Sequence, residues 1–186
     1  MATARELVLK VSEVMGVPEN TVVQHDRNLS LAGLRTVAGR GRAAAQMTAA
    51  DAVHMMIAVA GSRNVKDSAE TVRRYADLVA NETMSFDDDK GTVRGKTFGD
   101  AVRLLLEIVP KSRESFSGPD GDEIAVSIYG PRPEAKIIIR KAGGAKMMEF
   151  TYRPPWTRDA PKEDHGDLQF IAMFTQVTLG HIGDLI

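Results

Sequence analysis

Five side chains between Asn20 and Asn28 have the chemistry to read nucleic-acid bases: Asn20, Gln24, His25, Arg27 and Asn28. Asn and Gln can bond the edge of adenine, and Arg the edge of guanine, in a major groove wide enough to admit a helix. Three further arginines follow, Arg35, Arg40 and Arg42, the last two beside Gly39 and Gly41. A glycine-rich tip of this kind can come close to phosphates or enter a narrow minor groove. From Arg27 to Ala50 the chain carries four arginines and no acid. The formal net charge of −1 gives no bulk case for nucleic acid, so the argument is one of position. Residues 1–80 hold ten Lys/Arg against eight Asp/Glu, and the remainder fourteen against seventeen. A local basic stripe binds phosphate even on a near-neutral protein, although an uneven solvated surface is the plainer alternative.

Other chemistries are poorly served. The absence of cysteine excludes disulfides, thiol catalysis and cysteine-ligated metal. His25, His54, His165 and His181 form no H-x-x-x-H pair. His54 lies on an apolar helix, as a structural side chain would. Asp164-His165-Gly166-Asp167 could supply a general base, but no nucleophile accompanies it. Asp87, Asp88 and Asp89 sit in a polar stretch without the convergent oxygens a cation needs. Gly39/Gly41 and Gly143/Gly144 lack the strand and helix context of a phosphate-binding loop. Met55/Met56 and Met147/Met148 read as core filler. Tyr152 and Trp156, with the prolines between them, read as a packed loop before an aromatic ligand site. No enzyme activity, metal or cofactor is therefore expected.

The elements that must position these residues are legible. Thr3 with Glu6 forms a capping box that opens a helix to Met15, ended by Gly16. Pro18 can open the next helix, which runs over Thr21 to Ala32 with Val22, Leu29 and as a further candidate Val23 inward, and Gly33 closing it. Arg35 to Gln46 suits a hairpin with Gly39 and Gly41 at its tip. Thr48, with Asp51 at the third helical position, caps a further helix that Gly61 stops, and Ser68 to Val79 is another. Asn81 to Lys96 is polar and charged, as a linker would be. Then come a helix from Phe98 to Val109 stopped by Pro110, and strands at Glu123 to Tyr129, Ala135 to Lys141 and Met147 to Tyr152. Ile137, Ile138 and Ile139 suggest a buried strand. Leu168 to Thr178 fits a strand or a helix, and Leu179 to Leu185 a short helix.

With these elements in place, VSEVMGVPENTVVQHDRNLSLAGL resembles the helix-turn-helix core of bacterial winged-helix regulators such as the MarR, ArsR and IclR proteins. Gly16, Val17, Thr21, Val22, Leu29, Ala32, Gly33 and Leu34 stand at the pattern's positions, and RTVAGRGRAAAQMT is similar to its wing. The resemblance covers about a quarter of the chain. It implies that the second helix enters a groove while the arginines hold the backbone. Asp26 departs from the pattern, where an apolar residue is frequent, and could pair with a neighbouring arginine or sit at a subunit contact; Glu19 adds a second acid.

The fold expected is α+β: a helical winged helix-turn-helix domain over residues 1–80, a linker over 81–96, and a small mixed domain over 97–186 with three or four strands for dimerisation, sensing or partner binding. The function expected is sequence-specific binding of double-stranded DNA by a homodimer, as a bacterial or prophage transcriptional regulator. The alternative is a non-enzymatic adaptor or phage assembly component. The N-terminus lacks an uninterrupted apolar signal core, and no stretch approaches the ~18 apolar residues of a membrane span, so a cytoplasmic protein without a membrane partner is expected.

Overall fold

A computed structural model of the chain describes residues 2–37, 45–80, 95–116, 120–144, 147–155 and 167–186. The N-terminal half is helical: α1 (Ala4–Met15), α2 (Glu19–Leu31), α3 (Ala49–Gly61), a 3-10 turn (Val65–Asp67) and α4 (Ser68–Ala76). A two-residue strand β1 (Val79–Ala80) follows. Then come α5 (Phe98–Ile108), a 3-10 segment (Val109–Phe116), β2 (Glu123–Gly130), β3 (Glu134–Arg140), β4 (Met147–Arg153), β5 (Phe170–Thr175) and α6 (Gln176–Gly183). No described helix is long and apolar enough to cross a membrane.

The helix starts follow their caps. Thr3 with Glu6 and Thr48 with Asp51 form complete capping boxes, in which each side chain accepts from a backbone N–H that the first turn leaves open. Gly16 takes the left-handed conformation, φ 66°, that ends α1 and lets the chain reverse within three residues. Helix α4 stops at Ala76, short of the expected Val79, because Val79 and Ala80 instead pair with Arg153 and Tyr152 of β4.

The strands form one antiparallel sheet in the order β1-β4-β3-β2-β5. It has five strands rather than three or four, since the N-terminal half contributes β1 and since β5 is a strand that runs directly into α6. Helix α3 packs on β2 and β5, and α6 on α1, α5 and the sheet. Ile124, Val126 and Ile128 of β2 and Ala135, Ile137 and Ile139 of β3 alternate into the helices. Ile138 does not join them. A strand turns successive side chains to opposite faces, and the described helices cover only one, so Ile138 is half-buried on the other.

The expected separation into units 1–80 and 97–186 is not how the chain packs. A single hydrophobic core runs from Leu7, Val22 and Met56 through Phe98 and Leu105 to Ile137, Tyr152 and Leu179. The physical reason lies in α3, of which Ala52, Val53, Met55, Met56, Ile57 and Ala58 are all buried. A helix apolar on nearly all sides must be surrounded, and α1, α2 and α4 on one side leave the other for α5 and β2. The stretch read as a linker lies outside the described residues from 81 to 94.

Close backbone approach fixes α6 against α5. A Cβ at Gly183 would lie 2.2 Å from the carbonyl oxygen of Leu106 and 2.6 Å from Cγ of Pro110. Gly183→Ala should therefore cost about 2–3 kcal/mol by overpacking. Gly180→Ala is the control: its Cβ would meet only Val109, at 3.7 Å, and alanine favours helix. Urea titration of both variants checks the contrast, and equal midpoints would refute it.

Candidate nucleic-acid interface

Helices α1 and α2 are joined by a tight turn. The Gly16 and Val17 N–H groups both donate to the Ser12 carbonyl, and the Ser12 hydroxyl donates to the Val17 carbonyl at 2.8 Å. Val22 and Leu29 are fully buried and seat α2 in the core. Asn20, Gln24 and Arg27 then fall on the outer face at i, i+4 and i+7 and are exposed. Val23 and Leu31 flank this stripe, with Leu31 78% exposed. Arg27 has no acidic partner among the described residues.

The other expected base-reading residues have structural work instead. His25 is 3% exposed, and its Nδ1 lies 2.8 Å from Oγ of Ser68. The Ser68 hydroxyl donates to the Val65 carbonyl, so the imidazole carries its proton on Nδ1 and donates to serine. Asn28, half-buried, donates from Nδ2 to the same Val65 carbonyl at 2.7 Å. The two side chains fasten the inner side of α2 to the 3-10 turn and α4. Their polarity had marked them as readers; the helical period turns them inward. His25 and Asn28 are thus corrected from base contacts to fasteners.

Burial pushes the His25 imidazole below its ordinary value near 6.5. The unfolded chain therefore takes up a proton first as pH falls. The stability this ring contributes is full above about pH 6.5 and is lost as pH drops towards the depressed folded value. Urea unfolding at about pH 7.5 and about pH 5.5 should show a loss of stability that shrinks in His25→Gln. An identical loss in the variant would assign the pH dependence to other groups.

Arg35 is turned inward too. Its Nε lies 2.8 Å from Oδ1 of Asp26, with both side chains largely covered. Neither atom gains a well-aligned hydrogen bond from this contact. Burial pushes the Asp26 carboxyl above its usual range, Arg35 opposes that, and Asp51 adds to it. The pairing anticipated for Asp26 is thus present, and it takes Arg35 out of the exposed basic set.

Arg40 and Arg42 lie outside the described residues, but the residues on either side, up to Val37 and from Ala45, are described. Asp51 accepts from the Thr36 N–H at 2.7 Å and from the Thr48 N–H and hydroxyl, each at 2.8 Å. Burial pushes this carboxyl up, but those donors outweigh it and hold it below the usual range. One carboxylate therefore ties together the two ends of the arginine-bearing segment. No strand pairing joins those ends among the described residues. Gln46 bridges Thr3, and the Met47 N–H donates to the Ala2 carbonyl at 2.7 Å. The hairpin read for this segment otherwise lies outside the described residues, from 38 to 44.

His54, Met55 and Met56 have the structural roles expected of them. His54 Nδ1 lies 2.7 Å from the Leu34 carbonyl, and Met55 and Met56 are buried. Tyr152 is a core side chain 5.6 Å from the Phe98 ring, centroid to centroid. Asp87 to Asp89, Trp156 and His165 lie outside the described residues. No cluster of three metal-ligating side chains occurs among the described residues. Two clefts of about 400 and 340 Å³ meet at Pro131. In the second, Arg63 stands 5.7 Å over the Phe170 ring, beside Asn64 and Arg74. The sequence carries no signal for this grouping, since its members are separated by more than half the chain.

Compared with protein-family models, curated proteins and solved structures, the chain matches none.

Proposed function

We propose that the chain binds double-stranded DNA through the exposed face of α2, as a bacterial or prophage transcriptional regulator acting as a homodimer. The observation that carries this reading is the stripe of Asn20, Gln24 and Arg27 on a helix whose opposite side is fastened through His25 and Asn28. Three polar side chains at helical spacing can meet successive base edges, and a fastened helix loses little freedom on docking. Val23 beside them suits a thymine methyl group. The Asp26–Arg35 pair removes one acid from the set facing phosphate. Arg40 and Arg42, between the Thr36 and Thr48 that Asp51 ties together, are the remaining candidates for backbone contacts.

A second reading, a non-enzymatic adaptor, draws on the exposed Leu31 and Val37, the latter 60% exposed, which would suit a protein surface. The experiment that separates them is retention of sheared genomic DNA by the full chain at low and moderate salt, followed by sequencing of what is retained. Discrete enriched sites that weaken steeply with salt support the regulator. Uniform weak retention points to a packaging role, and no retention at low salt overturns DNA binding in favour of a protein partner.

A further inference from the structure

Strand β5 is an edge of the sheet, paired only with β2 among the described residues. An edge presents unpaired N–H and C=O groups, and soluble proteins blunt such edges with charge, proline, bulges or short length. The opposite edge, β1, is blunted by its length of two residues. On β5 these devices are missing. From Leu168 to Gly180 there is no ionisable side chain and no proline. Its register with β2 runs unbroken from Ala125↔Thr175 to Gly130↔Phe170, without a bulge.

The strand is also anchored from behind and apolar in front. Phe174 is buried, and the Phe170 ring covers Gly130 so closely that a Cβ there would lie 2.0 Å from it. Ile171 and Met173, two residues apart, project from the face away from the helices and are 60% and 64% exposed. Leu168 and Val177, before and after the strand in sequence, are also exposed, at 72% and 58%. The neighbouring strands differ on the same face, where Lys136 pairs with Glu149 and Arg153 with Glu134.

We infer that β5 pairs with β5 of a second copy of this chain, antiparallel about a two-fold axis, so that two sheets join edge to edge. The charge pattern selects this occupant. A strand without charge can lie against itself with no like charges meeting, and it offers nothing to recognise a charged partner. Two-fold pairing makes the contact self-complementary: with the axis at Ala172, Ile171 of each copy lies opposite Met173 of the other as a cross-strand neighbour. This inference does not depend on what α2 binds.

The test needs no DNA. The mass of the full chain is measured by sedimentation or light scattering from micromolar to near-millimolar concentration, beside Ile171→Lys/Met173→Lys. Backbone amide exchange over residues 170–175 is followed in the same samples. The expected result is a dimer that the double variant converts to a monomer of unchanged circular dichroism. In the wild-type chain, β5 exchange should slow as concentration rises, a readout that does not rely on the variant folding. A wild-type monomer at every concentration would overturn the proposal. So would a dimer that survives both lysines, or β5 exchange independent of concentration, as would occur if another part of the chain covered the edge.

Discussion

Phe98→Ala is expected to destabilise the whole chain by about 3–5 kcal/mol. Phe98 is fully buried at the first turn of α5, just after the Thr97 cap. Its ring packs on Tyr152 of β4, and its N–H donates to the Leu78 carbonyl at 2.8 Å. The side chain therefore sits where the exit of α4, the start of α5 and the sheet meet. Removing it leaves a cavity that backbone on three sides cannot close. Two independent units would confine the loss to residues 97–186. One core makes α1, α2 and α3 lose protection together with the sheet. Urea titration gives the magnitude, and residue-resolved amide exchange decides its extent. Unchanged exchange in α1 to α3 would show that the halves are energetically separate despite their shared packing.

Gln24→Ala/Arg27→Ala is expected to weaken binding to a selected DNA site by about tenfold to a hundredfold per residue, from ~1–3 kcal/mol for each good base contact. Both side chains are exposed, so the fold should lose no more than about 0.5 kcal/mol. The single variants separate their roles. Gln24→Ala should relax preference at one base pair. Arg27→Ala should relax preference at a second base pair, that of a guanine whose edge the guanidinium bonds. His25→Gln provides a contrast, since its cost should fall on stability while sequence preference is retained in the folded protein. Full affinity and an unchanged salt slope in the double variant would remove α2 from the interface.

The arrangement of α2 explains why candidate contacts were only partly legible. Asn20, Gln24, His25, Arg27 and Asn28 share a chemistry, and the pattern could not rank them. Val22 and Leu29 define an inward side, and His25 lies three residues from one and four from the other, so helical geometry places it with them. Whether a buried polar site had a partner depended on Ser68 and Val65, some forty residues away. Likewise Asp26 could be assigned a partner only once Arg35 was brought beside it. The clefts at Pro131 had no sequence signature, because their lining residues converge only through sheet register and helix packing.

What the sequence determined by itself was local. Thr3, Thr48 and Gly16 set helix ends because a cap bonds groups within three or four residues. The alternation of Ile124, Val126 and Ile128 set a strand because side-chain direction has a period of two. The tertiary structure decided what those local signals cannot encode. It merged the two expected units, because α3 has too much apolar surface for its own neighbours to cover. It brought Val79 and Ala80 into the sheet, because β4 offered unpaired backbone there. It also left the uncharged strand β5 at the edge, because the order of strands in a sheet depends on contacts across the whole chain rather than on any segment of it.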